Sequence, residues 1–364
     1  MSDSDIVILK ADDVLSLLVG REREVIETVR LAYVAHAGGD SALPHSSFLR
    51  FPFDERNRII ALPAYLGEEF AVAGIKWISS FPGNLEVGLD RASAVVILNS
   101  SRTGRPEAII EGSIISAKRT AASAALAAER LHRGRPSDRA AFLGCGLINF
   151  EIANFLLAAL PDLRHFTVCD LDAGRAAQFA ERCRAEFGVE VEVAPDARAL
   201  LRAAPLVSFA TTAARPHVDD LSDCQPGTTL LHISLRDLAP EVILASDNVV
   251  DDVDHVCRAQ TSIHLAEQLS GTRDFIRCTL ADVLRGVAPA RRDEQGVTVF
   301  SPFGLGVLDV ALGKYVLGRA LELERGSLIK SFLPGSWAGA DAARAEARAA
   351  DSALAGSEQE AANR

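Results

Sequence analysis

The sequence predicts an α/β protein, a doubly wound parallel sheet joined to a mixed α+β unit. Three observations predict it. Between residues 139 and 250, short apolar runs alternate with segments of helical period, the order that builds a parallel sheet with helices on both faces. One of these runs ends in Gly144-Cys145-Gly146 and leads directly into a helical pattern. Before residue 132 the chain reads differently, as extended segments separated by Pro and Gly and followed by an Ala-rich helix.

In chain order, Asp12 and Asp13 precede VLSLLVGREREVIETVRLAYVAHAGGD, whose apolar residues recur at helical spacing up to Gly38-Gly39. RIIALPAYL, AVAGIKWISSF and SAVVILNSS alternate or run apolar and are expected strands. SSRTGRPEAIIEG reads as a hairpin with its turn at Thr103-Gly104. IISAKRTAASAALAAERLH is built from strong helix formers and ends at His132-Arg133-Gly134 and Pro136. RAAFLGCG, HFTVCDLD, VEVEVAPD, PLVSFATT, TTLLHISL and DNVVDDVD follow as strands, with INFEIANFLLAAL, AGRAAQFAERCRAEF and ARALLRAA as helices between them. GVTVFSPFGLGVLDVALGKYVLGRALELERG is a strand, a Gly-containing turn and a long helix. From Gly335 the chain is rich in Ala, Glu and Arg with little apolar pattern, and a flexible tail is expected over 335–364. The expected division is a substrate-binding and dimerisation domain over 1–132, completed by 300–334, and a nucleotide-binding domain over 133–299.

A length of 364 residues with 48% hydrophobic content accommodates two domains and a sizeable core. A net charge of -11 and a pI near 5.3 exclude nucleic acid and anionic membranes as partners. An anionic substrate must then be met by a local cluster of Lys and Arg. The opening MSDSDIVILK lacks the basic-then-apolar order of a signal peptide, and no apolar run reaches the roughly 18 residues of a membrane span, so a cytoplasmic protein is expected. Six scattered cysteines, without a C-x-x-C pair or a His at metal spacing, read as reduced and mostly buried thiols, with no metal site.

Gly144 ends a strand and Gly146 opens a helix. The first permits a tight turn, the second lets backbone approach a pyrophosphate, and the N–H groups of the first helical turn, Leu147, Ile148 and Asn149, point toward it. Asn149 stands where the fingerprint has its third glycine. The next strand ends in Asp170, 24 residues beyond Gly146. A carboxylate there accepts hydrogen bonds from both ribose hydroxyls and repels a 2′-phosphate, which favours NAD. Capping of the following helix by Asp170, and a 2′-phosphate on Arg175, remain the competing readings. The whole describes a Rossmann dinucleotide-binding unit. Ala210, Thr211 and Thr212 come to the carboxyl edge of its sheet, where ligands bind, as does Ser234 after the fifth strand.

Four basic residues stand in apolar surroundings before residue 132: Arg50 in FLRFP, Lys76 in a strand beside Trp77, Arg91 after the turn at Gly88, and Arg119 beside Thr120 in the first turn of the Ala-rich helix. Arg suits forked binding of a carboxylate and Lys a point charge, so the set fits a substrate with two or more carboxylates, unless each is an exposed surface charge. In HISLRDLAPE, Asp237 and Glu241 are expected at the carboxyl edge, able to move a proton, with a helix cap or a salt bridge to Arg236 as the alternative. The run Asp251 to His255 reads as a solvated loop and His232 as a satisfied core residue.

GIKWISSFPGN over residues 74–84, RTAASAALAA from Arg119, LGCGLIN, and SPFGLGVLDVA from Ser301 together resemble the ornithine cyclodeaminase/mu-crystallin family over about residues 5–330. ISSFPGN, EGSIISAKRTAASA, and ISLRDLAPE followed by NVVDDVDH look like the branch that completes 2,3-diaminopropionate synthesis for siderophores and peptide antibiotics. The resemblance implies bound NAD, a homodimer, carboxylate binding by Lys76, Arg119 and Arg50, with Thr120 on the cofactor side, and a wall beside the nicotinamide made by Gly304, Gly306 and Asp309. It implies oxidative cleavage of N-(2-amino-2-carboxyethyl)-L-glutamate to L-2,3-diaminopropionate, 2-oxoglutarate and NADH, with Lys76, Asp237 and Glu241 as catalytic groups. Ornithine cyclodeaminases carry their catalytic Asp in a Gly-Gly-Asp segment. Here it reads Ser234-Leu235-Arg236-Asp237, which points to another substrate. Ornithine cyclisation to proline and ammonia, and a non-enzymatic protein binding NAD(P)H and a small ligand, are the alternatives.

Overall fold

The computed structural model describes residues 4–135 and 138–334, so the expected helix-end residue Pro136 and the expected tail from Gly335 lie outside the described residues. The chain begins with strand β1 (Ile6–Leu9), followed by helices α1 (Ala11–Leu18) and α2 (Glu22–Ala37). The amphipathic stretch after Asp13 is therefore helical in two pieces. Val19 leaves helical space with ψ 130°, and Arg21 starts the second piece. Strands β2 (Ser41–Ala42), β3 (Ser47–Phe51), β4 (Asp54–Leu66), β5 (Val72–Ser80), β6 (Ala94–Ser100) and β7 (Pro106–Glu111) come next. β6 and β7 form the expected hairpin, closed by the Ser100 N–H donating to the Arg105 carbonyl.

The Ala-rich segment is α3 (Gly112–Leu131), started by the Glu111 carboxylate, which accepts from the N–H groups of Ser113 and Ile114. Ala121, Ala122, Ala124, Ala125, Ala127 and Ala128 are fully buried, because their small side chains let α3 pack closely on other helices, α2 among them. A larger residue there would overpack the contact at a cost of about 1–3 kcal/mol.

The second half runs β8 (Arg139–Leu143), α4 (Leu147–Ala159), β9 (His165–Cys169), α5 (Ala173–Phe187), β10 (Glu190–Val193), α6 (Ala197–Ala203), β11 (Leu206–Phe209) and β12 (Thr229–His232). It continues through α7 (Pro240–Ala245), β13 (Asp247–Val250), α8 (Val253–Val256), α9 (Ser262–Ser270), β14 (Ile276–Thr279), α10 (Leu280–Leu284) and β15 (Thr298–Ser301). These strands form one parallel sheet in the order β10-β9-β8-β11-β12-β15-β13-β14. The expected doubly wound α/β fold is thus observed. Strand order reverses between β8 and β11, which opens a crevice at their carboxyl ends. β15, reached last, slots between β12 and β13, so the loop after it lies at the middle of the carboxyl edge.

That loop feeds α11 (Gly306–Glu322), which crosses back to pack on β4, β5 and β6, and the exposed strand β16 (Ser327–Ile329) pairs with β1. The first sheet is consequently mixed, in the order β16-β1-β7-β6-β5-β4-β2, with β3 on β4. α11 lies where the face of β5 meets the crevice of the parallel sheet. No helix among the described residues is long and apolar enough to cross a membrane.

Candidate active site

The Gly144 turn fits a dinucleotide. Gly144 has φ +92°, and a Cβ there would stand 2.6 Å from the Ala210 carbonyl oxygen, so the ends of β8 and β11 approach only with glycine at this place. Gly146 caps α4 without any side-chain hydrogen bond, and both it and Leu147 are exposed while Ile148 is half-buried. The first-turn N–H groups therefore face an open cradle. The Asp170 carboxylate accepts from the Cys145 N–H at 2.7 Å and the Asp172 N–H at 3.0 Å, which aims it at the same crevice. Capping of α5 falls instead to Asp172, whose Oδ1 accepts from the Arg175 N–H.

The Asn149 side chain is used within the fold. Its buried Nδ2 donates to the carbonyls of Leu143 and Gly144 at 2.9 and 2.7 Å, and its Oδ1 accepts from Ser208 Oγ at 2.8 Å. The side chain locks strand, turn and helix together and has no donor left for a ligand.

Above the crevice, Asp309 in the first turn of α11 joins two cations. Its Oδ2 lies 2.8 Å from Lys76 Nζ and its Oδ1 accepts from Arg119 Nε at 2.9 Å. Lys76 also donates to Ser116 Oγ at 3.2 Å. Thr120 Oγ1 donates to the Ser116 carbonyl at 2.7 Å. Lys76 is 2% exposed and Asp309 fully buried. Burial, joined by the Arg119 charge, pushes the Lys76 ammonium down to about 8 against the pull of Asp309. Gly304, at φ +90°, passes directly over Arg119, since a Cβ would stand 2.8 Å from its Nη1. The N–H groups of Phe303 and Gly304 donate to Asp251 at 2.8 and 2.7 Å. Asp251 is thus a buried anchor of this loop, not the expected solvated residue, and burial pushes its carboxyl up to about 6 despite those donors.

Asp237 is fully buried. It accepts from Thr211 Oγ1 and Ser234 Oγ, and lies 3.1 Å from His217 Nε2 and 3.3 Å from His232 Nε2. Burial opposes its ionisation, yet His232, Ser234 and Thr211 outweigh burial and hold the carboxyl well below the usual range. A carboxylate so saturated is a poor proton acceptor. It fixes the loops after β11 and β12. His232 is the satisfied core residue expected, with Nδ1 3.1 Å from Ser301 Oγ. Thr212 is exposed nearby and Ala210 half-buried. Glu241 does not reach this edge. It is exposed and shares a depression with Ser246 and Val297, which precede β13 and β15, so it lies at the amino end of the sheet. The short crossover through α7 carries the chain back there.

Arg50 and Arg91 belong to a larger set. Arg50 is directly opposite Arg58 in the β3–β4 pairing, and Arg58 opposite Ser80 in the β4–β5 pairing. Burial, then the charges of Arg236, Arg91 and Arg50, push the Arg58 guanidinium down. Arg236 makes no ion pair with Asp237, and its Nη2 donates to the Ala259 carbonyl at 2.8 Å. Among the described residues no carboxylate forms an ion pair with Arg50, Arg58, Arg91 or Arg236. Sequence reasoning missed Arg58 and the part played by Arg236. Strand parity was the available signal for Arg58, which shares the inward face of β4 with Leu62.

The profile of the family described as ornithine cyclodeaminase/mu-crystallin matches residues 6–324. The chain is 27% identical over 314 residues to N-((2S)-2-amino-2-carboxyethyl)-L-glutamate dehydrogenase of Staphylococcus aureus, covering 84% of this chain and 93% of that one. It is similar to the structure of Thermococcus litoralis Δ1-pyrroline-2-carboxylate reductase in complex with NADH and L-proline, with TM-score 0.83 and 26% identity over 88% of this chain and 99% of that chain. An archaeal alanine dehydrogenase dimer with bound NAD gives TM-score 0.81 and 28% identity over 90% of this chain and 99% of that chain.

Proposed function

Because the chain belongs to the ornithine cyclodeaminase/mu-crystallin family, we propose that it cleaves N-(2-amino-2-carboxyethyl)-L-glutamate oxidatively, releasing 2-oxoglutarate and L-2,3-diaminopropionate. It is an NAD-dependent dehydrogenase. The observation that carries the substrate assignment is the surplus of cations at the site. Lys76 and Arg119 share one carboxylate, Asp309, and four further arginines form no ion pair with a carboxylate among the described residues, in a chain of net charge -11. A substrate with three carboxylates offsets more of that surplus than alanine, which has one.

The residues that would hold NAD are the first turn of α4 for the pyrophosphate and Asp170 for the ribose hydroxyls. NAD, when bound, supplies the hydride acceptor for the glutamate Cα–H. Arg119 holds the adjacent carboxylate and orients Cα, joined by Lys76 once that side chain has become the ammonium. Lys76, as the neutral amine that burial favours, takes the proton from the secondary amine. Water then adds to the resulting C=N bond, and collapse of the adduct breaks C–N, the nitrogen leaving as the diaminopropionate amine. Asp237 positions the loops around this chemistry. Glu241 has no part in it.

Residues 1–132 with 300–334 are assigned to substrate and to a second copy of the chain, and 133–299 to NAD. A second copy suits the face of the first sheet opposite Lys76, where Trp77 is 40% exposed. The test is absorbance at 340 nm with NAD and N-(2-amino-2-carboxyethyl)-L-glutamate, followed by product analysis. Equal amounts of NADH, 2-oxoglutarate and 2,3-diaminopropionate are expected. Turnover of L-alanine alone, or proline and ammonia from ornithine without net NADH, would overturn the assignment.

A further inference from the structure

We propose that Arg58, Ser80 and Arg236 form a second anion subsite that takes a carboxylate remote from the carbon being oxidised. The inference rests on the reading of Lys76 and Arg119 as the grip on the reacting end of the substrate. Arg58 and Ser80 face each other across the β4–β5 register, and each carries a buried polar atom without a partner, Arg58 Nε and Ser80 Oγ. These two lie at directly paired positions of neighbouring strands, and a ligand that accepts from both accounts for them. Side chains alternate along a strand, so Ser80 shares its face with Lys76, four residues earlier. Their Cα atoms are about 13 Å apart, a span that side chains leaning along the strand shorten to the length of an extended dicarboxylate.

Arg236 closes the subsite from the parallel sheet. The backbone around it is held in costly shapes. Leu235 has φ +67°, and Ala259 and Gln260, beside the carbonyl that Arg236 grips, have φ +54° and +55°. Left-handed conformations at non-glycine residues are uphill and cluster where a side chain must be aimed. The Ser262 N–H, donating to the Leu235 carbonyl at 2.7 Å, holds the arrangement. Arg58 and Arg236 repel one another, and Asp237 acts on Arg236 without forming an ion pair with it, so the set gains stability when an anion enters. A substrate with a single carboxylate is served by Lys76 and Arg119. The Arg58 subsite therefore sets a preference for dicarboxylates and tricarboxylates.

The test compares 2-oxoglutarate with pyruvate by calorimetry on the NADH-loaded full chain, since the two 2-oxo acids differ in the distal carboxylate. The wild type should bind 2-oxoglutarate at least about ten-fold tighter, the worth of one charge-assisted hydrogen bond. Arg58→Met, Ser80→Ala and Arg236→Met should each shrink that ratio, the arginine variants the most, with NADH affinity retained as the sign of an intact fold. A wild type that binds both acids equally, or arginine variants that keep the full ratio, would overturn the subsite. If the ratio behaves as expected but N-(2-amino-2-carboxyethyl)-L-glutamate yields no NADH, the subsite stands and the substrate assignment falls.

Discussion

The acidity of Lys76 offers the sharpest test of the chemistry. With its ammonium lowered to about 8, roughly one-tenth of the enzyme carries the neutral amine at pH 7 and roughly one-hundredth at pH 6. If that amine accepts the substrate proton, kcat should climb about ten-fold per pH unit below 8 and level off above it. Lys76→Met should lower kcat by about a hundred-fold or more and remove the limb. Asp309→Asn should move the limb to lower pH, because Asp309 favours the charged form. Stability carries the same signature. The folded-state value lies below the ordinary 10.5, so the folded protein binds fewer protons than the unfolded chain between the two values. The Lys76 contribution is present above 10.5 and is lost as pH falls through about 8, a difference of about 3 kcal/mol. Initial rates at 340 nm from pH 6 to 9.5 measure the first effect, and urea unfolding at the two ends of that range, between which about 2 kcal/mol of the difference develops, measures the second. A flat rate profile between pH 6 and 8, or the same limb surviving in Lys76→Met, would refute Lys76 as the base.

Three further outcomes are expected. Asp170→Asn should weaken NADH binding about ten-fold in a fluorescence titration, through loss of a charged acceptor, and narrow the preference over NADPH; equal affinities would remove Asp170 from the ribose site. Asn149→Ala should cost about 3 kcal/mol in urea unfolding, since it breaks three buried hydrogen bonds; a change under about 0.5 kcal/mol would show the lock to be dispensable. Gly304→Ala places a Cβ 2.8 Å from Arg119 Nη1 at φ +90°, so kcat/KM should fall at least about ten-fold, and wild-type kinetics would show that the loop relaxes freely.

Local pattern was enough for much of this protein. The alternation of short apolar runs with helical segments specified a parallel sheet, because side-chain period reports which face is buried whatever it packs against. Gly144, Gly146 and Asp170 were legible because a nucleotide turn is built from residues close in sequence. Lys76 and Arg119 stood out because long cations in apolar segments need a partner.

What tertiary structure alone decided is the identity of those partners. Asp309 meets Arg119 across 190 residues, and no spacing rule encodes such a pairing. Asp251 looked solvated in a run of acids until β15 inserted beside β13 and laid the Phe303 and Gly304 N–H groups over it. Glu241 looked close to the site by position, but a crossover of a few residues delivered it to the opposite end of the strands. Arg236 resembled a partner for Asp237, yet His232, Ser234 and Thr211 saturate that carboxylate and the guanidinium donates to the Ala259 carbonyl instead. A sequence states which side chains need burial or a counter-charge. Only the closing of the chain, which brings distant segments within a few ångströms, determines which group supplies it.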